Sequence, residues 1–330
     1  MTLAKLAKLA GVSVSTVSKA FSDSLEISEE TKTHIFNIAK ETGCFEKYFK
    51  PKYAKKLIAV ICPELLGIHY SQMVTYIEKL VTEKGDTVLI SFSNFSSDTQ
   101  EQLIEYFTKF THVDGIIVIE PVETIEVKSN TPIVQIGLTE GPSNVHCITV
   151  DMSSALDKII KLLRSYGHSK IGFIGEKYTQ TEFDFFKKYM EKNLLEVNDE
   201  FISINQHRFY DCGYFGMEEI LKRNNLPTVI FAGYSHIAGG MLQKLKEEQI
   251  NVPDDISIVC MNDIDSIPYC SVELSCIKMH IEELCSEAIR LLYRSLDNRY
   301  SDTKYTVTMT REFKQGNTIL DRRGLINAEI

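Results

Sequence analysis

The sequence predicts an α/β protein: two doubly wound parallel sheets, preceded by a small all-α head. Three observations carry this. From Leu57 onward, short apolar runs alternate with amphipathic helical stretches, the pattern of parallel strands joined by covering helices. The first 44 residues show helical spacing and no strand alternation. The chain has 330 residues, more than one unit of roughly 100–200 residues needs.

The head comes first. Thr2 can cap a helix with apolar Leu3, Leu6, Ala7 and Ala10, and Gly11 supplies the positive φ that stops it. Ser13 can cap a second helix, VSTVSKAF, with Val17, Ala20 and Phe21 facing a core. After a loop at 22–27, Ser28 can cap a third helix that opens with Glu29 and Glu30, where the dipole favours acid, and ends at Gly43. Two short helices around Ala-Gly-Val-Ser, then a third, make a helix-turn-helix layout. The second helix of such a layout must be slim and polar on one face to enter a major groove. Val14 offers an apolar contact to a thymine methyl. Ser15 can bond base edges or phosphate, and Lys19 can reach guanine acceptors or phosphate. Thr16 and Ser18 are hydroxyl donors suited to the DNA backbone.

Residues 45–56, FEKYFKPKYAKK, read as a basic linker. Pro51 disfavours helix at its centre. Lys47, Lys50 and Lys52, interleaved with Phe45, Tyr48, Phe49 and Tyr53, can hold phosphates or wedge a ring at a base step. The body then follows as 57–330. Its predicted strands lie around 56–63, 86–93, 114–121, 132–138, 146–151, 170–175, 200–205, 228–233 and 256–261. Helices are expected between them and over 280–297.

Charge and composition narrow the class. Residues 1–56 hold ten Lys/Arg and six Asp/Glu, a surplus of four positive charges, whereas the whole chain is −9. A basic head on an acidic body suits a polyanion contact confined to the head. No apolar run reaches the ~18 residues of a membrane span, and Lys5 and Lys8 interrupt any signal-like stretch. The eight cysteines form no C-x-x-C pair and sit mostly in apolar runs, so reduced thiols in a cytoplasmic protein are expected. No Cys/His cluster has metal-ligand spacing, and neither metal nor cofactor is expected. No G-x-G-x-x-G opens a helix and no G-x-S-x-G elbow exists, so an enzyme is not expected. Asp263 and Asp265 read as turn residues.

The run from Leu6 to Lys19, with Ile27-Ser28-Glu29-Glu30-Thr31 and Gly43, resembles the headpiece of the LacI/GalR family of transcriptional regulators. Later motifs extend the resemblance over nearly the whole chain: Val113-Asp114-Gly115, Val150-Asp151, Gly167-His168 before Ile171-Gly172-Phe173-Ile174-Gly175, and Val252-Pro253-Asp254-Asp255. The resemblance implies base reading by Val14, Ser15 and Lys19 and phosphate anchoring by Ser13, Thr16 and Ser18. It implies a periplasmic-binding-protein-like body, with one lobe at about 57–166 and 280–301 and the other at about 169–276 and 304–326. It further implies a homodimer on a palindromic operator, and a small effector, a sugar or sugar derivative, between the lobes. The family's usual hinge helix carries a leucine, and residues 45–56 are shorter and hold none, with Pro51 at their centre. Family members place an Arg, an Asn-Asp pair and an Asp in the cleft; the aligned positions here are Phe185, Tyr234-Ser235 and Asn262. With His69, Tyr70, Glu120 and Arg208 these are the candidate ligand residues. Two other readings stay open at this point: a regulator whose degenerate cleft answers to a protein partner, and a cytosolic solute-binding protein.

Overall fold

The computed structural model describes residues 1–330 except 23, 25, 49–54, 124, 126–130, 138–144, 264–271, 298–302 and 327–330. The chain divides into two compact units, 1–57 with 82–87, and 58–81 with 88–330.

In the first unit, α1 (Leu3–Ala10), α2 (Val14–Phe21) and α3 (Glu29–Glu41) pack around Leu6, Val17, Ala20, Ile35 and Ala39. The expected caps are in place. Thr2 Oγ1 accepts from the Lys5 amide, Ser13 Oγ from Thr16, and Ser28 Oγ from Thr31. Gly11 takes φ +66°, a conformation that costs a side-chain-bearing residue ~1–2 kcal/mol. A short α4 (Phe45–Tyr48) follows. Phe45 and Tyr48 pack on Phe21 at ring-centroid distances of 5.9 Å each, and Phe45 meets Phe36 edge-on at 5.3 Å. The start of the predicted linker is therefore part of the head's core. Its two rings are spent there and are not available as wedges.

The second unit holds two six-stranded sheets. Strands β1 (Leu57–Cys62), β2 (Thr87–Phe92), β3 (Gly115–Ile119), β4 (Ile133–Gly137), β5 (His146–Asp151), β6 (Ile171–Glu176), β7 (Ile202–Asn205), β8 (Val229–Ala232), β9 (Ser257–Asp263), β10 (Ser275–Lys278), β11 (Thr306–Thr310) and β12 (Glu312–Lys314) run in chain order. Helices α5 (Ile68–Glu83), α6 (Ser97–Tyr106), α7 (Ser153–Ser165), α8 (Gln180–Lys192), α9 (Phe209–Leu221), α10 (Ser235–Glu247) and α11 (Ile281–Asp297) cover them. The first lobe's sheet is ordered β11-β5-β4-β3-β1-β2 and the second's β12-β10-β9-β8-β6-β7. The described ladders are parallel except β10 with β12. The sequence reading missed β10, β11 and β12. The last two are short, alternate in exposure and lie at sheet edges, so no continuous apolar run betrays them.

Apolar side chains fill both lobes. Ile58, Val60, Ile117, Val134 and Ile148 meet α5 and Leu292 of α11 in the first. In the second, Phe173, Phe186 and Phe231 lie under α7 and α8, and Ile174, Ile230 and Ile258 under α9 and α10. Seven described cysteines are buried free thiols.

The chain passes between lobes three times: from β5 to α7 at Met152, from β10 to α11 at 279–280, and from β11 to β12 at Arg311. The first and last crossings are tied together, because the Arg311 amide donates to the Asp151 carbonyl at 2.9 Å. The antiparallel edge follows from this. A single residue joins β11 to β12, so the chain enters the second sheet straight across from the first. In the second lobe α9 and α10 approach closely at glycine. A Cβ on Gly213 would lie 1.9 Å from the Ile237 carbonyl oxygen, and one on Gly240 would lie 1.9 Å from that of Tyr210. That approach brings Arg208, just before α9, beside Tyr234, just before α10.

Candidate functional site

Two surfaces carry the predicted residues. The first is α2. Val17, Ala20 and Phe21 are buried on one side. Val14, Ser15 and Ser18 are exposed on the other, with Lys19 half-exposed along the same face. At 100° per residue this is the geometry 3.6-residue periodicity demands. Ser13 and Thr16 are more constrained. Their hydroxyls lie 2.8 Å apart, and Ser13 already caps the helix. Lys19 Nζ pairs with Glu26. An exposed pair of this kind is worth ~0–1 kcal/mol and is readily exchanged for another anion. Lys47 is exposed, and its ammonium donates to the Met1 carbonyl at 3.3 Å. Lys50, Lys52 and Tyr53 lie outside the described residues.

The second is the cleft between the two sheets of the body, at the carboxyl ends of β1, β3, β6, β8 and β9. Six of the seven predicted ligand residues line it: His69, Tyr70, Glu120, Arg208, Tyr234 and Asn262. Phe185 does not. It lies in the second turn of α8 and packs against the Phe173–Phe186 core, so its assignment to the cleft is corrected. Position along the helix explains this: Glu182 lies in the first turn of α8, at the cleft, and Phe185 one turn further from it.

Arg208 organises one wall. Its Nη1 and Nη2 donate to the two oxygens of Glu64 at 2.8 and 2.7 Å, and its Nε donates to Glu176 at 2.9 Å. Glu64 follows β1 in the first lobe, whereas Glu176 and Arg208 belong to the second. The bidentate bond therefore clasps the lobes together, in the planar fork that arginine forms best. The guanidinium carbon also lies 4.7 Å from the Tyr178 ring centroid and 4.5 Å from that of Phe209. Tyr178 in turn stacks on Phe95 of the first lobe, centroids 3.8 Å apart, a second bridge. Glu64 and Glu176 hold Arg208 firmly charged, Glu64 contributing most. Tyr234 donates to Glu176; burial, then that carboxylate, pushes its hydroxyl well up.

Glu120 organises the other wall. Burial pushes its carboxyl up, but bonds from His69 Nε2 (3.0 Å) and the Tyr70 hydroxyl outweigh this and hold it below the usual carboxylate range. Arg311 is buried nearby; burial pushes its guanidinium down, against the pull of Glu182 and Glu120. Burial and the charge of Glu120 push Glu182 up to about 7. Several polar atoms here are buried without a partner among the described residues: His69 Nδ1, Asn262 Oδ1, and Nε and Nη1 of Arg311. Each such atom costs ~1–3 kcal/mol, so their gathering at one place marks a site kept for something else. The backbone agrees. Phe95, Glu120 and Phe209 all hold positive φ (56°, 45° and 54°), and strain of this kind collects at ligand clamps. The sequence reading missed Glu64, Phe95, Glu176, Tyr178, Glu182 and Phe209, because only tertiary folding brings them together. The one available hint was Glu176, a carboxylate ending an otherwise apolar strand. No helix among the described residues is long and apolar enough to cross a membrane.

Residues 2–44 match the family model described as bacterial regulatory proteins, lacI family, and residues 160–318 match that of a periplasmic binding protein-like domain. The HTH-type transcriptional regulator AscG of Escherichia coli (strain K12) is 25% identical over 311 residues, covering 90% of this chain and 92% of AscG. A transcriptional regulator CelR–cellobiose complex aligns with TM-score 0.66 at 20% identity over 96% of this chain and 99% of that one. The lac repressor dimer bound to operator and the anti-inducer ONPF aligns with TM-score 0.68 at 17% identity, over 97% of this chain and 99% of the other.

Proposed function

We propose that this chain is a DNA-binding transcriptional regulator of the lacI family, whose headpiece model matches residues 2–44 and whose full-length relatives include the regulator AscG. The protein acts in the cytoplasm as a homodimeric repressor. Helix α2 of each copy enters the major groove of one half of a palindromic operator. Val14, Ser15 and Lys19 meet base edges, and Ser13, Thr16 and Ser18 hold phosphates. Lys47, Lys50, Lys52 and Tyr53 add contacts beside the groove. The observation that carries this reading is the division of α2 into a packed side and a bare side bearing Val14, Ser15, Ser18 and Lys19. That bare side is what a groove about 12 Å wide admits.

The cleft is where a small ligand, a sugar or sugar derivative, controls that binding. His69, Tyr70, Glu120, Arg208, Tyr234 and Asn262 bond it. The Glu64–Arg208 clasp and the Phe95–Tyr178 stack set the closed spacing of the lobes. A ligand that changes those contacts shifts operator affinity by a coupling of typically ~1–3 kcal/mol. The bound sugar of the CelR complex supports this reading. Selection of the full chain on a random duplex pool tests it. Enriched sequences should be palindromes with half-sites about one helical turn apart, roughly 34–36 Å, or a multiple of that. A pool with no enriched sequence would overturn it.

A further inference from the structure

We propose that the cleft is built for a ligand bearing a protonated amine, which sits against Glu182 and Asn262 between the aromatic walls. The inference rests on the cleft being the effector site and goes beyond it by assigning the ligand's charge.

Four carboxylates line this one cavity, Glu64, Glu120, Glu176 and Glu182, against a single lining guanidinium. Glu64 and Glu176 are both spent on Arg208, and Glu120 is spent on His69 and Tyr70. Glu182 has no side-chain partner among the described residues. Asn262, 8% exposed, lines the same cavity with its Oδ1 buried and unpaired among the described residues. His69 donates from Nε2 to the Glu120 carboxylate and leaves Nδ1 unpaired; on the neutral ring Nδ1 is then a further acceptor. The unfilled positions on the lining are thus acceptors, whereas an ammonium brings three donors and a charge. Glu182 gains most from such a guest. Burial and Glu120 hold its carboxyl up to about 7, and a cation removes that penalty. The walls already accept a cation face-on, since Tyr178 and Phe209 flank the guanidinium of Arg208 at 4.7 and 4.5 Å. Arg311 lies off this lining, in the smaller adjoining cavity with His69 and Glu120, so its unpaired Nε and Nη1 do not alter that balance.

The test is calorimetric titration of the full chain at pH 7 with glucosamine, N-acetylglucosamine, glucose, putrescine and butane-1,4-diol, paired with operator binding in each. Glucosamine should bind at least about tenfold more tightly than glucose or N-acetylglucosamine, the worth of one charge-assisted bond. Glu182→Gln should erase that ratio. Because glutamine removes a strained charge, its ligand-free melting temperature should not fall, which separates lost recognition from lost folding. Putrescine matching glucosamine, with butane-1,4-diol silent, keeps the charge assignment and moves the source to an aliphatic amine. Neutral sugars binding as well as glucosamine, or no binding by glucosamine and putrescine alike, overturns the inference. If neutral sugars also shift operator affinity, the effector reading survives that failure. If glucosamine binds yet operator affinity never moves, the effector reading fails and the charge assignment stands.

Discussion

Replacing Arg208 by alanine should loosen the body of the protein by a calculable amount. The guanidinium makes three charged hydrogen bonds, at 2.7, 2.8 and 2.9 Å, two of them across the lobes. Its partners are well buried: the Glu176 side chain is 3% exposed and that of Glu64 12%, while Arg208 itself is 31% exposed. Removing one member of a buried pair costs ~3–5 kcal/mol, mostly because the other charge is stranded. Glu176 keeps the Tyr234 hydroxyl and Arg208 is partly in water, so the lower end applies, about 3 kcal/mol. For units of 150–250 residues each kcal/mol moves the melting temperature ~2–4 °C, so the body's transition should drop by at least about 6 °C. Arg208→Lys should recover only part of this, since an ammonium reproduces neither the fork nor the stack. Scanning calorimetry on the full chain reads the transition, and small-angle scattering should show the variant opening. A variant that melts within about 1 °C of the parent and scatters identically would refute the clasp.

Other outcomes follow from the same structure. Lys19→Ala should weaken specific operator binding by ~1–3 kcal/mol in fluorescence anisotropy. It should leave the melting curve in place, because the Lys19–Glu26 pair is exposed. Phe45→Ala should destabilise the head by ~2–4 kcal/mol, somewhat below the ~3–5 kcal/mol for a fully buried ring because Phe45 is half-buried, and abolish operator binding below the body's melting temperature. Retained binding with an unshifted head transition would show that Phe45 is not core. His146 gives a pH signature. Burial, with Lys304 and Arg294 nearby, lowers it from 6.5 to about 4. Its Nδ1 accepts from the Tyr305 amide, so the fold holds the neutral ring. Its contribution is complete above pH 6.5 and is lost as pH falls from 6.5 through 4, up to about 3 kcal/mol. Glu182 has the opposite sign. Raised from 4.5 to about 7, it costs stability increasingly as pH climbs through that window. Urea midpoints across pH should therefore show the gain from Glu182→Gln growing from pH 4.5 to 7, and an acid loss that disappears in His146→Gln.

The head was the most legible part of the sequence. Thr2, Gly11, Ser13 and Ser28 are local signals, and each acts within three or four residues of itself, so spacing alone places the three helices. The β/α alternation was legible for a similar reason, since β1 and β3 are unbroken apolar runs. Short edge strands such as β12 lack that signature. The cleft was readable only where a family pattern marked it, and at Phe185 the pattern misled: the first turn of α8, carrying Glu182, lines the cleft, and Phe185 one turn on packs in the core. The Phe95–Tyr178 stack joins residues 83 positions apart in sequence on different lobes, and no local rule couples them. The aromatic run at Phe45 and Tyr48 read as part of the basic linker, because composition does not say which rings find a core.

The most direct measurement is a footprint of the full chain on DNA upstream of its own coding region, made beside a variant carrying Val14→Ala, Ser15→Ala and Lys19→Ala together. The account predicts a palindromic protected stretch with the parent protein and none with the variant, while both melt alike. Equal protection by the two proteins would contradict it, because α2 would then not be the surface that reads the sequence.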